Sequence, residues 1–170
     1  IEIEGTIQKT SIETFLIEEK TFVSGYTDVS VPDSANYTLV PGNYNDVHIY
    51  SKGTLHLTSG VYNVNSFVVE PGVSIVIDDP SVSEIEINIS SLMSVGDRCN
   101  FKWVGTEKCD KLSFYTNQTS LLRIGTDSKI TGIITAPKAE ISVASRTTVK
   151  GAIFGKKVKL EPEVIIVNET

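Results

Sequence analysis

A chain of 170 residues, 40% of them apolar, is long enough for one domain that buries a sizeable core. No apolar run approaches the roughly 20 residues of a membrane-spanning helix, so no such insertion is expected. The net charge of −6 argues against a nucleic-acid partner, although residues 1–86 hold 13 acidic and 3 basic side chains and residues 87–160 hold 5 acidic and 12 basic. The opening residues carry no secretory signal pattern, and Ile1 is read as the start of a mature or trimmed chain.

Residues 1–8 alternate, placing Ile1, Ile3 and Ile7 on one face of a half-buried strand. Residues 12–22 fit a short helix, with a strand as the alternative, and the region 1–30 is expected to cap the open end of the segments downstream. From Asp28 to Asp78 short β-like segments alternate with corners at Pro41-Gly42, Lys52-Gly53, Ser59-Gly60 and Pro71-Gly72. Residues 84–89 alternate cleanly and predict another strand. Residues 93–111 break the rhythm, hold Trp103 and both cysteines, and are read as an insertion. Regular segments resume at Leu112 and run to about Val167.

These segments repeat. Pro41-Gly42-Asn43-Tyr44 returns eighteen positions later as Ser59-Gly60-Val61-Tyr62, aligning Leu39 with Leu57 and Ile49 with Phe67. Gly132-Ile133-Ile134-Thr135-Ala136 returns nineteen positions later as Gly151-Ala152-Ile153-Phe154-Gly155, aligning Ala139 with Val158 and Ile141 with Leu160. A β-rich unit of this length cannot bury its apolar face alone, so the period predicts stacked coils of about 18–20 residues over 31–170. Along such a stack, the charge split would give one acidic and one basic end.

Cys99 and Cys109 lie ten residues apart. A disulfide would pin the insertion and contribute roughly 2.8 kcal/mol in the chain-entropy model; the alternative is two buried thiols. Two thiols without a nearby His supply too few ligands for a metal. Four sequons begin at Asn36, Asn88, Asn117 and Asn168, and with a disulfide they point to an extracellular, glycosylated protein at the cell surface.

The coils beginning at Gly132 and Gly151, with Ala136-Pro137-Lys138-Ala139-Glu140-Ile141 between them, resemble the small right-handed β-helical domain of prokaryotic surface and pilus-associated proteins. The resemblance covers roughly residues 37–167 and implies an all-β fold, a single-stranded right-handed parallel β-helix. It brings no catalytic residue and no cofactor.

Enzymes on such folds need clustered carboxylates. Asp78-Asp79-Pro80 reads as a turn, and Asp97 and Asp110 as loop charges. His48 and His56 alternate with apolar neighbours and have no nucleophile at a telling spacing. Tyr44 and Tyr62 recur at one repeat position and predict a packed ladder. Trp103, Tyr50 and Tyr115 remain as candidate ligand-facing aromatics, and Lys156, Lys157 and Lys159 form a basic strip in the last coil. Two functions are therefore expected. The first is a non-enzymatic structural subunit that assembles with itself or other surface proteins through Ile1, Ile3, Ile7 and the charged ends. The second is a glycan-binding or adhesion module.

Overall fold

The computed structural model describes residues 17–78, 84–105 and 109–168. The fold is all-β, with no α-helix among the described residues. The strands are β1 (Val29–Val31), β2 (Asn36–Leu39), β3 (Gly42–Ile49), β4 (Thr54–Leu57), β5 (Gly60–Val69), β6 (Ser74–Ile77), β7 (Ile85–Val95) and β8 (Asn100–Trp103). They continue as β9 (Leu112–Thr116), β10 (Leu122–Ile124), β11 (Lys129–Val143), β12 (Thr148–Leu160) and β13 (Ile165–Val167). A single 3-10 turn at Cys109–Lys111 precedes β9.

Every pairing among these strands is parallel, and the pairs fall into three ladders. One ladder passes through Val29, Val47, Phe67 and Met93, then from Val95 to Ile124, and from Leu122 to Ile141 and Val158. A second passes through Tyr37, Leu55, Ile75 and Phe101, crosses from Asn100 to Lys129, and goes on from Ile130 to Val149 and Ile166. The third passes through Tyr44, Val64 and Ile89, and from Ile87 through Phe114 and Ile134 to Ile153. Each strand thus hands its backbone hydrogen bonds to the strands one repeat before and after it.

Period-two alternation sends Val, Ile and Leu side chains of all three ladders into one shared interior. Phe67, Phe101 and Phe114, one from each ladder, meet there, with the Phe101 and Phe67 ring centroids 5.5 and 6.1 Å from that of Phe114. Such pairs add about 0.5–1.5 kcal/mol each beyond their burial.

The repeat length is 18 residues from β1 to β3 and 20 from β3 to β5 (Val29↔Val47, Val47↔Phe67). It grows to 29 between β8 and β11 (Asn100↔Lys129) and shrinks to 17 between β12 and β13 (Thr148↔Ile165). The successive strands β6 and β7, and β8 and β9, are correspondingly farther apart in sequence. The expected insertion over 93–111 is accordingly narrower: 93–95 complete β7 and 100–103 form β8, paired in register with β6. Several expected alignments are displaced by two. Tyr44 pairs with Val64 rather than Tyr62, and Ile49 with Val69 rather than Phe67. Val158 pairs with Ile141 rather than Ala139, and Leu160 with Val143 rather than Ile141, because the register shifts between Ala136 and Glu140. A shift of two leaves every side chain on its own face.

One corner recurs in every repeat. Its third residue has a positive φ: Ser34, Lys52, Gly72, Arg98, Asp127, Arg146 and Glu163. The next position is filled by Ala35, Gly53, Val73, Cys99, Ser128, Thr147 and Val164, small or medium side chains turned inward. Cys99 is one member of that column, with its Sγ 3.2 Å from the carbonyl of Glu70. Burial pushes its thiol up to about 11. No disulfide joins Cys99 to Cys109, and both are buried thiols. The expected bridge is therefore corrected: Cys99 serves the corner, and Cys109 sits in the 3-10 turn.

The described part of the expected cap also differs. Residues 17–27 form no helix and run along the outside of the third ladder. Glu19 meets Lys138 at 3.0 Å, Lys20 meets Glu86 at 3.1 Å, and Gly25 donates to the carbonyl of Tyr44. The acidic residues Glu18 and Glu19 are thereby carried back toward β11, away from the first repeat. A Cβ on Gly25 would lie 2.2 Å from the carbonyl oxygen of Asn43, so only glycine permits this approach. The expected strand with Ile1, Ile3 and Ile7 lies outside the described residues.

Two positive-φ positions make a test. At the recurrent corner, Lys52→Gly removes a left-handed side-chain penalty of about 1 kcal/mol and should raise the unfolding free energy by up to that amount. Within β12, Gly151→Ala should lower it by more than about 2 kcal/mol, because its Cβ would stand 2.1 Å from the carbonyl oxygen of Gly132 at φ +132°. Urea denaturation measures both; equal midpoints for the two variants would contradict these backbone geometries.

Candidate functional site

A stack of parallel strands satisfies its backbone everywhere except at its two ends. At the C-terminal end β12 pairs with β11 and, over 148–150 only, with β13. Beyond Lys150 the outer edge of β12 has no strand partner among the described residues. Val158, Leu160 (47% exposed) and Ile166 stand in line with buried residues of earlier repeats but have no cover among the described residues. Lys156, Lys157 and Lys159 are exposed on the same strand, and Lys157 reaches Glu140 at 3.3 Å. At the N-terminal end Tyr37 stands in the column of Leu55 and Ile75, again partly uncovered, and the first repeat carries Asp28 and Asp33.

The flanks carry polar ladders. Asn88 donates to Asn63 and Asn63 to Asn43, at 3.0 and 2.9 Å, on consecutive strands of the third ladder. At the positive-φ corner Arg98, Asp127, Arg146 and Glu163 alternate in charge. Arg146 grips Asp127 through both carboxylate oxygens at 2.7 and 2.9 Å, which holds that carboxyl below its usual range.

His48, Tyr50, Ser51 and Glu70 form the densest titratable cluster. His48 Nε2 lies 2.9 Å from Glu70 Oε1, the Ser51 hydroxyl donates to Glu70 Oε2 at 2.9 Å, and the His48 and Tyr50 rings stack at 4.1 Å. The carboxylate stands between the hydroxyl and the imidazole. Ser51 therefore donates to the weakly basic Glu70 carboxylate, and its hydroxyl is not hydrogen-bonded to the His48 imidazole. The hydrogen bonds from Ser51 and then His48 hold the Glu70 carboxyl below its ordinary value. His56 pairs with Asp78 on another flank. No group of three or more His, Cys, Asp or Glu converges among the described residues.

The aromatic expectations divide. Trp103 is 8% exposed and belongs to the interior column beyond Ile77. Tyr115 is 3% exposed beneath the 17–27 segment, where its hydroxyl accepts from the Lys20 amide and its ring meets Phe22 edge-on at 6.3 Å. Both are corrected as ligand-facing residues; Tyr50 stays exposed. Tyr44 and Tyr62 make no stacked ladder, since Gly42 is the residue opposite Tyr62. Each hydroxyl instead reaches the carbonyl four residues back, Val40 and Thr58, and closes its own turn.

Of the sequon asparagines, Asn36 and Asn168 are exposed and Asn117 is half-buried, donating to the Lys20 carbonyl. Asn88 is buried in the asparagine ladder, which withdraws it as a glycan acceptor.

One cluster had no sequence signal. Lys102, Lys129 and Lys150 come from β8, β11 and β12, far apart in the chain, and converge only through the long and variable repeat.

In comparisons with known proteins, the chain matches no protein-family profile, no curated sequence and no solved structure.

The Glu70 cluster yields a pH dependence. Its folded carboxyl binds protons less readily than in the unfolded chain. Its contribution is therefore complete above the unfolded value of about 4.3 and is lost as pH falls through the lower folded value. Glu70→Gln should lower stability at pH 7 and make no difference near pH 2, by urea denaturation at each pH. A deficit unchanged at low pH would contradict this.

Proposed function

We propose that this chain is a non-enzymatic, extracellular structural protein at the cell surface. In this reading it is a right-handed parallel β-solenoid whose copies join end to end into a filament. The parallel ladders at repeats of 17 to 29 residues support the solenoid, and right-handedness is the near-universal sense of parallel strand crossovers. The observation that carries assembly is a strand edge on β12 and apolar columns at Val158, Leu160 and Ile166 that no described residue covers. Exposed edges of this kind pair with another chain unless they are blunted.

The occupant is the N-terminal end of a second copy. The charges favour that polarity, because Lys156, Lys157 and Lys159 crown one end while Asp28 and Asp33 stand at the other. Charge would steer and orient the contact, and backbone pairing with apolar burial would hold it. A head-to-tail contact between unlike surfaces propagates without closing when its rotation does not return on itself.

The extracellular placement rests on the exposed sequon asparagines, Asn36 above all, and not on a disulfide. An adhesive module built on Trp103 and Tyr115 is not favoured, since both are buried.

Light scattering across protein concentration and salt tests the assembly. The expected result is growth into long species that shrink as salt rises, slower growth in Lys156→Glu/Lys159→Glu, and no growth in Leu160→Arg at an unchanged melting temperature. Monomers at every concentration and salt would refute end-to-end joining.

A further inference from the structure

The outer side of the second ladder carries a groove of about 360 Å³ lined by Lys102, Lys129, Lys150, Asn100, Thr131 and Thr148, together with the buried apolar residues Phe101 and Ile130. Asn100 pairs with Lys129, and Lys129 with Thr148; Thr131 pairs with Lys150. Paired strands stand about 4.8 Å apart, so Lys129 and Lys150 rise within about 10 Å of one another on adjacent strands, and Lys102 lines the same groove from β8. Lys102 and Lys129 are exposed and have no carboxylate within ion-pair distance among the described residues. The groove thus gathers cationic side chains in a chain whose net charge is −6.

The polar remainder of the lining points the same way. Thr131, only 3% exposed, and Thr148 bring hydroxyls to the groove, and Asn100 brings an amide. An ammonium cluster beside hydroxyls and an amide matches one kind of ligand: a compact group bearing both a negative charge and hydroxyls. The volume suits one or two sugar rings. The groove offers no exposed aromatic ring on which a nucleic-acid base would stack.

We propose that this groove binds an anionic sugar unit of an acidic polysaccharide. Lys102 and Lys129 would hold a sulfate or carboxylate, while Thr131 and Asn100 would contact neighbouring hydroxyls. The site lies on the flank rather than at either end, so it does not depend on end-to-end joining.

Calorimetric titration of the full chain at low salt tests this with four probes: a sulfated oligosaccharide, an oligogalacturonate, a neutral cello-oligosaccharide and an oligothymidylate. At least one acidic sugar should bind about tenfold or more tightly than both the neutral sugar and the oligonucleotide, and which one identifies sulfate or carboxylate as the anchor. Lys102→Gln/Lys129→Gln should weaken that binding by about tenfold or more at an unchanged melting temperature. Thr131→Val should weaken it by a smaller factor. Equal binding of the acidic sugars and the oligonucleotide would reduce the groove to general polyanion attraction. That result, the absence of binding, or indifference to the double lysine substitution would each overturn the proposal.

Discussion

Every strand of this molecule depends on parallel pairing with the strand one repeat away. In a parallel ladder the backbone donors and acceptors of each segment are satisfied only by its two neighbours. The interior is built the same way, since Val47, Phe67 and Met93 are buried only because successive repeats bring them into one column. Interior repeats are thereby complete, whereas Leu160 and Ile166, in the last described repeat, have no cover among the described residues.

Keeping the columns aligned requires a corner that turns the chain identically each time. The positive-φ position does this, and it tolerates Lys52, Arg98, Asp127 and Arg146 because those side chains point away from the stack, where Arg146 and Asp127 pair with one another. The residue after it must be small and inward. A cysteine fits there well as a compact, weakly polar residue, and this explains Cys99 without a partner sulfur. Most of the variation in repeat length falls between the strands, with smaller register shifts in the β5–β7 and β11–β12 pairings, so the middle of the stack lengthens while its core columns stay buried.

Much of this is legible in the sequence. The match of Gly132-Ile133-Ile134-Thr135-Ala136 with the coil at Gly151 is the observed register, as is Leu39 with Leu57. The mismatches share a cause. Alternation reports which face a residue occupies and is blind to a shift of two, so it sets Ile49 and Val158 on the right face beside the wrong neighbour. Glycine is the sequence mark of a corner, whereas Lys52 rather than Gly53 adopts the left-handed backbone. The 17–27 segment, which buries Tyr115, has no periodicity to read. The lysine groove needs a register of 29 residues that no local pattern announces.

The two proposed functions use separate parts of the molecule: an unfinished end for joining copies and a basic flank for an acidic glycan. A filament would repeat the groove along its length, turning weak single contacts into an array. The central claim is that a second copy completes the terminal repeat. Hydrogen exchange of the β12 amides over 152–160, read by mass spectrometry across a range of protein concentrations, tests it most directly. End-to-end joining predicts that their protection rises with concentration while that of the central strands stays constant. Exchange in β12 that is independent of concentration would contradict it.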